Sequence, residues 1–151
     1  MENTYRVMVP TDFTEEAAAA VSHAAMVAKS FKGEVLLLHV ISSDKAKEAA
    51  EERLKQIATD SSNTYSVEVN YEIRKGSIFD RIPEVAEEKD VMLIVMGTHG
   101  VKGIQRFTGS YALKVIGHSK VPFIVVQTKK SKGEINDIVL PIKFSQETKS
   151  K

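Results

Sequence analysis

The most informative run of residues for the fold class is Val91-Met92-Leu93-Ile94-Val95-Met96. An apolar run of this length without period-2 alternation is typical of a parallel strand that helices cover on both faces. Three shorter runs have the same character, namely Val7-Met8-Val9, Val35-Leu36-Leu37-Leu38 and Phe123-Ile124-Val125-Val126. We therefore predict buried parallel strands at all of these positions.

The stretches between these runs have helical spacing and cover residues 15–31, 43–59, 78–88 and 110–119. Pro83 interrupts the third of them, which predicts a short or kinked helix, because proline has no N–H for the preceding turn. Gly33 and Gly76 are placed where helices end and chains turn. Residues 67–73 alternate between apolar and polar side chains, which predicts an edge strand.

Strands that alternate with crossover helices form mostly parallel sheets, since right-handed crossovers place helices on both faces. The pattern therefore predicts an α/β fold with a doubly wound five-stranded parallel sheet in the order 3-2-1-4-5. The 151 residues fit one complete domain, which we place at residues 1–128.

Composition excludes several classes of protein. The 21 Lys and Arg residues nearly balance the 20 Asp and Glu residues, so no overall positive field attracts nucleic acid. Cysteine is absent, which excludes disulfides and thiolate metal sites. The histidines show no metal-ligand spacing, and no apolar run reaches the roughly 18 residues of a membrane span. We expect a cytoplasmic protein without a protein-held metal, a nucleic-acid partner or a membrane partner.

The last part of the sequence repeats the first. After a charged linker, Ile138-Val139-Leu140-Pro141-Ile142-Lys143-Phe144-Ser145 matches Val7-Met8-Val9-Pro10-Thr11-Asp12-Phe13-Thr14 in register. Fixed offsets of this kind are typical of repeat architectures. We interpret residues 129–151 as a linker and the start of a second, incomplete repeat. Its strand, near residues 138–142, is expected to pair at a sheet edge or with a second chain.

Two loops carry the unusual residues. In open α/β sheets ligands bind beyond the carboxyl ends of the strands where the winding reverses, here after the first and fourth strands. The first loop contains Asp12, and the second runs from Gly97 through Gly100 to Gly109-Ser110. Glycines allow close backbone approach, and a helix N-terminus at Ser110 favours an anion, which together suit a polyphosphate. The Walker and Gly-x-Gly-x-x-Gly fingerprints are absent.

Simpler explanations exist for the same residues. Asp12 also fits an N-cap of the first helix, with Glu15 three residues later as in a capping box. Ser110 fits a helix N-cap, and no Gly-x-Ser-x-Gly elbow accompanies it, so we predict no catalytic triad. No catalytic residue is identified.

Several motifs together resemble the universal stress protein family. They are Val9-Pro10-Thr11-Asp12-Phe13-Thr14-Glu15, Leu38-His39-Val40, Gly97-Thr98-His99-Gly100 leading to Gly109-Ser110, and Val121-Pro122-Phe123-Ile124-Val125-Val126. The resemblance covers most of the predicted domain. It implies ATP with Mg²⁺ as the ligand, and a homodimer through the last strand or a pseudo-dimer with a second repeat. It also implies that Asp12 meets the adenosine, that the backbone of Val40 meets adenine, and that Gly97, Gly100, Gly109 and Ser110 line the phosphates.

One departure from the family pattern leaves the function open. The family's ATP-binding members have Gly-x2-Gly-x9-Gly-Ser/Thr, whereas this chain has Gly97-x2-Gly100-x8-Gly109-Ser110. One residue fewer shortens the loop by up to about 3.5 Å. The leading hypothesis is a regulatory domain that binds ATP and acts as a stress-response switch. The alternative is a dimerising interaction module without nucleotide, and slow ATP hydrolysis with phosphate-held Mg²⁺ is a weaker third hypothesis.

Overall fold

The computed structural model describes residues 3–97, 115–117 and 119–126. Within them the elements follow the order β1 (Arg6–Pro10), α1 (Glu15–Ser30), β2 (Glu34–Ile41), α2 (Lys47–Tyr65), β3 (Glu68–Lys75), α3 (Ile78–Glu88), β4 (Val91–Gly97) and β5 (Phe123–Val126). The strands form one sheet in the order β3-β2-β1-β4-β5, and every neighbouring pair is parallel. The predicted fold class and strand order are confirmed.

Each face of the sheet has its own hydrophobic core. On one face, α1 and α2 pack against the strand side chains that point to that face. Leu37 of β2 and Leu54 of α2 are fully buried between the sheet and the helices. On the other face α3 covers Met8 and Ile94, and Val115 is buried in the same cluster. Residues of β1, β2 and the part of β4 from Leu93 onward alternate between these two clusters, which explains why these strands are apolar at nearly every position. The register with β1 shifts before Leu93, and Met92 is exposed there.

Helix α1 is rich in alanine and lies close to the sheet. Thr14 caps its first turn by accepting a hydrogen bond from the amide of Ala17 at 3.3 Å. At its other end Lys32 adopts a left-handed φ of 52°, and the amide of Gly33 donates to Ala28 at 2.7 Å. A Cβ on Gly33 would lie 1.9 Å from the carbonyl oxygen of Tyr5. Gly33 is therefore required by a close approach to β1, while Lys32 makes the turn.

Helix α2 differs from its predicted bounds, residues 43–59. A 3₁₀ turn at Asp44–Ala46, capped by Ser43, comes first, and the α-helix then begins at Lys47. It continues to Tyr65, since neither glycine nor proline occurs between Thr59 and Tyr65, and its C-cap is Ser66, whose φ is 53°. Ser61, in this last part of the helix, is buried.

Helix α3 has the predicted bounds and is short, with Pro83 inside it. Strand β3 lies at the sheet edge, as the alternation predicts, and spans Glu68–Lys75. Of the predicted fourth helix, residues 110–119, the structure describes 115–117, which are helical, and 119, which is not. The predicted tail strand near residues 138–142 and the repeat at 129–151 lie outside the described residues.

Candidate functional site

The carboxyl ends of β1, β2 and β4 meet at one edge of the sheet. Pro10, the last residue of β1, lies opposite Leu38 of β2, and Met8 lies opposite Ile94 of β4. This register brings the ends of three adjacent strands together where β1 turns into α1. The strand order reverses between β1 and β4. Open α/β folds bind ligands at the carboxyl ends of the strands beside such a reversal.

Asp12 organises the turn between β1 and α1. Its Oδ1 accepts hydrogen bonds from the amide of Thr14 at 3.1 Å and from the hydroxyl of Thr14 at 2.5 Å. Thr14, and not Asp12, is the N-cap of α1, so the simple capping interpretation of Asp12 is wrong. Asp12 lies two residues before the cap, and it orients the Thr14 hydroxyl that caps the helix. Its side chain is half-buried.

The backbone of Val40 is directed toward the end of β1. The amide of Thr11 donates to the carbonyl of Leu38 at 2.8 Å, whereas the carbonyl of Ile41 accepts from Gly76 beyond β3 at 3.0 Å. Because successive carbonyls of a strand point in opposite directions, the Val40 carbonyl points to the same side as that of Leu38. Strand β1 has already ended there. A donor and acceptor pair of the main chain thus faces the crevice between the strand ends.

Gly97 lies against the first turn of α1. A Cβ on this residue would lie 2.8 Å from both the backbone carbon and the Cβ of Glu16. The absence of a side chain at position 97 is therefore explained by the packing of α1 on β4. This contact fixes α1, and with it the turn that holds Asp12, relative to the end of β4.

Three side chains that the sequence analysis did not select form a cluster behind the turn. Phe13 has a left-handed φ of 66°, which is unusual for a bulky residue. Its ring lies 4.4 Å from the imidazole of His39, and the Arg53 guanidinium lies 4.1 Å from the same ring centroid. His39 Nδ1 lies 2.7 Å from the carbonyl oxygen of Thr11. Because a carbonyl only accepts hydrogen bonds, Nδ1 carries the proton and donates.

A cleft of about 230 Å³ opens beside this cluster, between α1 and α2. Its lining combines hydroxyl groups from the turn and from α2 with one cation and one carboxylate. The lining residues are Thr11, Phe13, Thr14, Ala18, Val21, Arg53, Ile57, Asp60, Ser61, Thr64 and Tyr65. Among the predicted nucleotide residues that the structure describes, Asp12, Val40 and Gly97, none lines this cleft, which lies on the helical side of the turn.

Two surface ion-pair groups away from this edge have shifted pKa values. A hydrogen bond from Lys75 lowers the pKa of the Asp44 carboxyl, and hydrogen bonds to Glu88 and Glu72 raise the pKa of Arg74. These contacts join β3 to α3 and to the turn before α2. In the part of the chain that the structure describes, no group of three or more His, Asp or Glu side chains is placed to hold a metal ion.

The structure brings Asp12, Val40 and Gly97 to the same edge of the sheet. Gly100, Gly109 and Ser110 lie outside the described residues. His39 carried a signal in the sequence, since it is a polar residue that directly follows the apolar run of β2. Arg53 carried none, because it is one of many charged residues on an exposed helix face.

Comparison with known proteins gives consistent matches. The model of the "Universal stress protein family" matches residues 4–127. Universal stress protein MJ0531 of Methanocaldococcus jannaschii is 32% identical over 147 residues, covering 85% of this chain and 86% of the relative.

Two solved structures are also similar. That of protein MJ0577, named as hypothetical, superposes with a TM-score of 0.71 at 30% identity over 86% of this chain and all of the other. A universal stress protein from Archaeoglobus fulgidus, solved in complex with dAMP, has a TM-score of 0.70 at 22% identity, over 83% of this chain and 100% of that one. The second comparison shows the same fold. Among the described helices, none is both long and apolar enough to cross a membrane.

Proposed function

Because this chain belongs to the universal stress protein family, we propose that it binds an adenine nucleotide, with ATP as the first candidate, and acts as a regulatory switch. The site lies between the turn after β1, the end of β2 and the loop that begins at Gly97. Asp12 faces the adenosine, and the main chain of Val40 binds the adenine base. The phosphates are lined by Gly97, Gly100, Gly109 and Ser110. Mg²⁺ accompanies the nucleotide.

The direction of the Val40 backbone is the observation that carries this proposal. Its main-chain groups face the crevice left where β1 ends, two residues beyond the Leu38–Thr11 hydrogen bond. Adenine presents both a donor and acceptors along its edge, so a main-chain donor and acceptor pair complements it without any side chain. The dAMP complex of the Archaeoglobus fulgidus protein supports the proposal, because a chain of the same fold holds an adenine nucleotide.

Asp12 contributes charge and shape to the proposed site. One carboxylate oxygen is engaged by Thr14, which fixes the side chain in one orientation. A carboxylate oriented in this way accepts hydrogen bonds from hydroxyl groups, which is the chemistry of ribose recognition in dinucleotide-binding folds. Any Mg²⁺ is held mainly by the phosphates, and ATP hydrolysis is expected to be slow because no general base has been identified.

The first test is the ligand content of protein purified without added nucleotide. Denaturation followed by mass spectrometry of the supernatant is expected to release an adenine nucleotide. Calorimetric titration with Mg-ATP, with Mg-GTP as the base-specificity control, is expected to show binding of the adenine compound only. An absence of heat and of thermal shift at millimolar Mg-ATP would favour the alternative, a dimerising module whose shortened glycine loop does not bind nucleotide.

Asp12→Asn separates the roles of the carboxylate. Asparagine keeps an oxygen that accepts from Thr14, so the turn and the stability are preserved while the charge is lost. Nucleotide binding is expected to weaken without a matching loss of Tm. Asp90→Asn is the matched control, because Asp90 precedes β4 at the opposite edge and its φ of 50° suits asparagine equally well. Asp12→Ala removes the acceptor of the Thr14 hydrogen bonds, so it is expected to weaken binding and to cost about 1 kcal/mol of stability.

A further inference from the structure

Phe13 occupies a conformation that its neighbours must maintain. A left-handed φ of 66° crowds the Cβ of a non-glycine residue against its own carbonyl, which is unfavourable for a residue with a side chain. Such residues persist where surrounding contacts outweigh that cost. Phe13 follows Asp12 directly, so its backbone angle determines where the Asp12 carboxylate is placed.

His39 supplies two of the contacts that hold this turn. Its Nδ1–H donates to the carbonyl of Thr11 at 2.7 Å, and its ring lies 4.4 Å from the ring of Phe13 at an interplanar angle of 38°. His39 thereby contacts the residue before and the residue after Asp12. It lies on β2, directly before Val40, so it links the two parts of the proposed site.

Arg53 contacts the same ring from α2. Its guanidinium carbon lies 4.1 Å from the centroid of the Phe13 ring, which is within the range of a cation–π interaction. Arg53 is exposed, so this contact adds less than the half-buried contacts of His39. The ring of Phe13 therefore joins α2, the turn and β2.

We propose that His39 is a positioning residue for the nucleotide site, which holds the turn through Thr11 and Phe13 so that Asp12 faces the ligand. This inference rests on the proposed function for its effect on affinity. Its structural part, control of the turn in the ligand-free protein, stands on the contacts of His39 alone. His39 acts through Thr11 and Phe13 and needs no contact with the nucleotide.

The test compares two histidines with similar contacts. His23 in α1 also places Nδ1 against a backbone carbonyl, that of Ala19 at 2.9 Å, and it is half-buried like His39. His39→Ala and His23→Ala each remove one imidazole and one hydrogen bond of this kind. Affinity for Mg-ATP is measured by calorimetry at a temperature well below unfolding of either variant. Hydrogen exchange of the Thr14 amide, which donates to Asp12, is measured without ligand.

His39→Ala is expected to weaken Mg-ATP binding roughly five- to tenfold, which corresponds to the net value of one hydrogen bond. Exchange of the Thr14 amide is expected to accelerate by a similar factor. His23→Ala should change neither quantity by more than about twofold, although it lowers stability to a similar degree. His39→Asn, whose amide retains a donor near the position of Nδ1, should recover part of the affinity.

Equal affinity of His39→Ala and the unsubstituted protein would overturn the proposal while leaving the nucleotide site intact. Equal losses in the two alanine variants would also overturn it, because they would show a general effect of stability. If the unsubstituted protein binds no nucleotide, the proposed function fails by itself. Exchange at Thr14 then decides the structural part, which is overturned if His39→Ala and His23→Ala exchange alike.

Discussion

Gly97→Ala is expected to destabilise the protein by forcing α1 away from β4. The added Cβ would lie 2.8 Å from the backbone carbon of Glu16 and 2.9 Å from its carbonyl oxygen, whereas ordinary contact begins near 3.4 Å. The helix and the strand would have to separate by about 0.6 Å. The nearest atoms are the backbone and the Cβ of Glu16 in the first turn of α1, so rotation of a side chain cannot relieve the contact.

The expected cost follows from the rigidity of packed interiors. Overpacking a well-packed core typically costs about 1–3 kcal/mol. For a chain of this size that corresponds to a loss of roughly 3–10 °C in Tm. Circular dichroism during thermal unfolding, together with urea unfolding at 25 °C, gives the two quantities. Because Thr14 caps α1 and donates to Asp12, the same shift is expected to displace Asp12 and weaken nucleotide binding.

Gly117→Ala is the matched control for this substitution. Gly117 is helical, and a Cβ added there would have no atom of the described residues within 4 Å. Alanine in such a position is expected to be neutral or to stabilise by up to about 1 kcal/mol. If Gly97→Ala unfolds at the same temperature as Gly117→Ala, the contact between β4 and α1 is not as close as we infer. The explanation of Gly97 by helix packing would then be wrong.

Three further substitutions test other parts of the fold. Arg6→Ala removes the side chain that binds Glu34 and the carbonyl of Lys89 at the amino edge of the sheet, and should cost about 1–3 kcal/mol in urea unfolding while leaving Mg-ATP affinity unchanged. If Arg6→Ala also lost Mg-ATP affinity, that result would contradict our placement of the nucleotide site at the opposite, carboxyl ends of the strands. Leu54→Ala empties a fully buried position of α2 and should cost about 2–5 kcal/mol; a smaller loss in chemical unfolding would mean that α2 is loosely packed. Asp44→Asn removes the exposed pair with Lys75, which lowers the pKa of Asp44 from its ordinary value of 3.8. The stability that this pair adds is therefore present above pH 3.8 and lost as the pH falls below it, so the difference between the two proteins in pH-dependent thermal unfolding should vanish in acid.

The fold could be predicted from the sequence because buried parallel strands leave a strong signal. Val91–Gly97 is apolar at nearly every position, and the two cores explain this for Leu93, Ile94 and Val95, since both faces of the strand are covered there. Met92 is the exception, because it is 51% exposed. The bounds of α2 were harder to predict. Its start depends on whether Ser43 caps an α-helix or a 3₁₀ turn, and both place the same serine before the same charged residues.

The site was only partly predictable, for a physical reason that Asp12 illustrates. Asp12 and Thr14 are both good N-cap residues, and the sequence pattern alone does not decide between them. The left-handed φ of Phe13 decides it, because the extra turn places the cap at Thr14 and leaves Asp12 before the helix. That angle depends on contacts with His39, which is distant in sequence, so local pattern could not predict it.

The same contacts connect the proposed nucleotide site to helix α2. If a bound nucleotide displaces Asp12 toward the ribose, the adjacent Phe13 is displaced as well, and Phe13 contacts Arg53 on α2. Helix α2 is largely exposed, with Ala50, Leu54, Ala58 and Ser61 as its buried residues. A surface helix held by so few core contacts responds to small shifts of the turn more readily than α1, which packs along its whole length.

Ligand binding can bias a partner interaction only if it changes a surface that the partner touches. We therefore expect hydrogen exchange in α2, near Arg53, to slow when Mg-ATP binds, and an Arg53→Ala variant to lose that response while it still binds nucleotide. Unchanged exchange in α2 on binding would show that the turn and the helix are uncoupled.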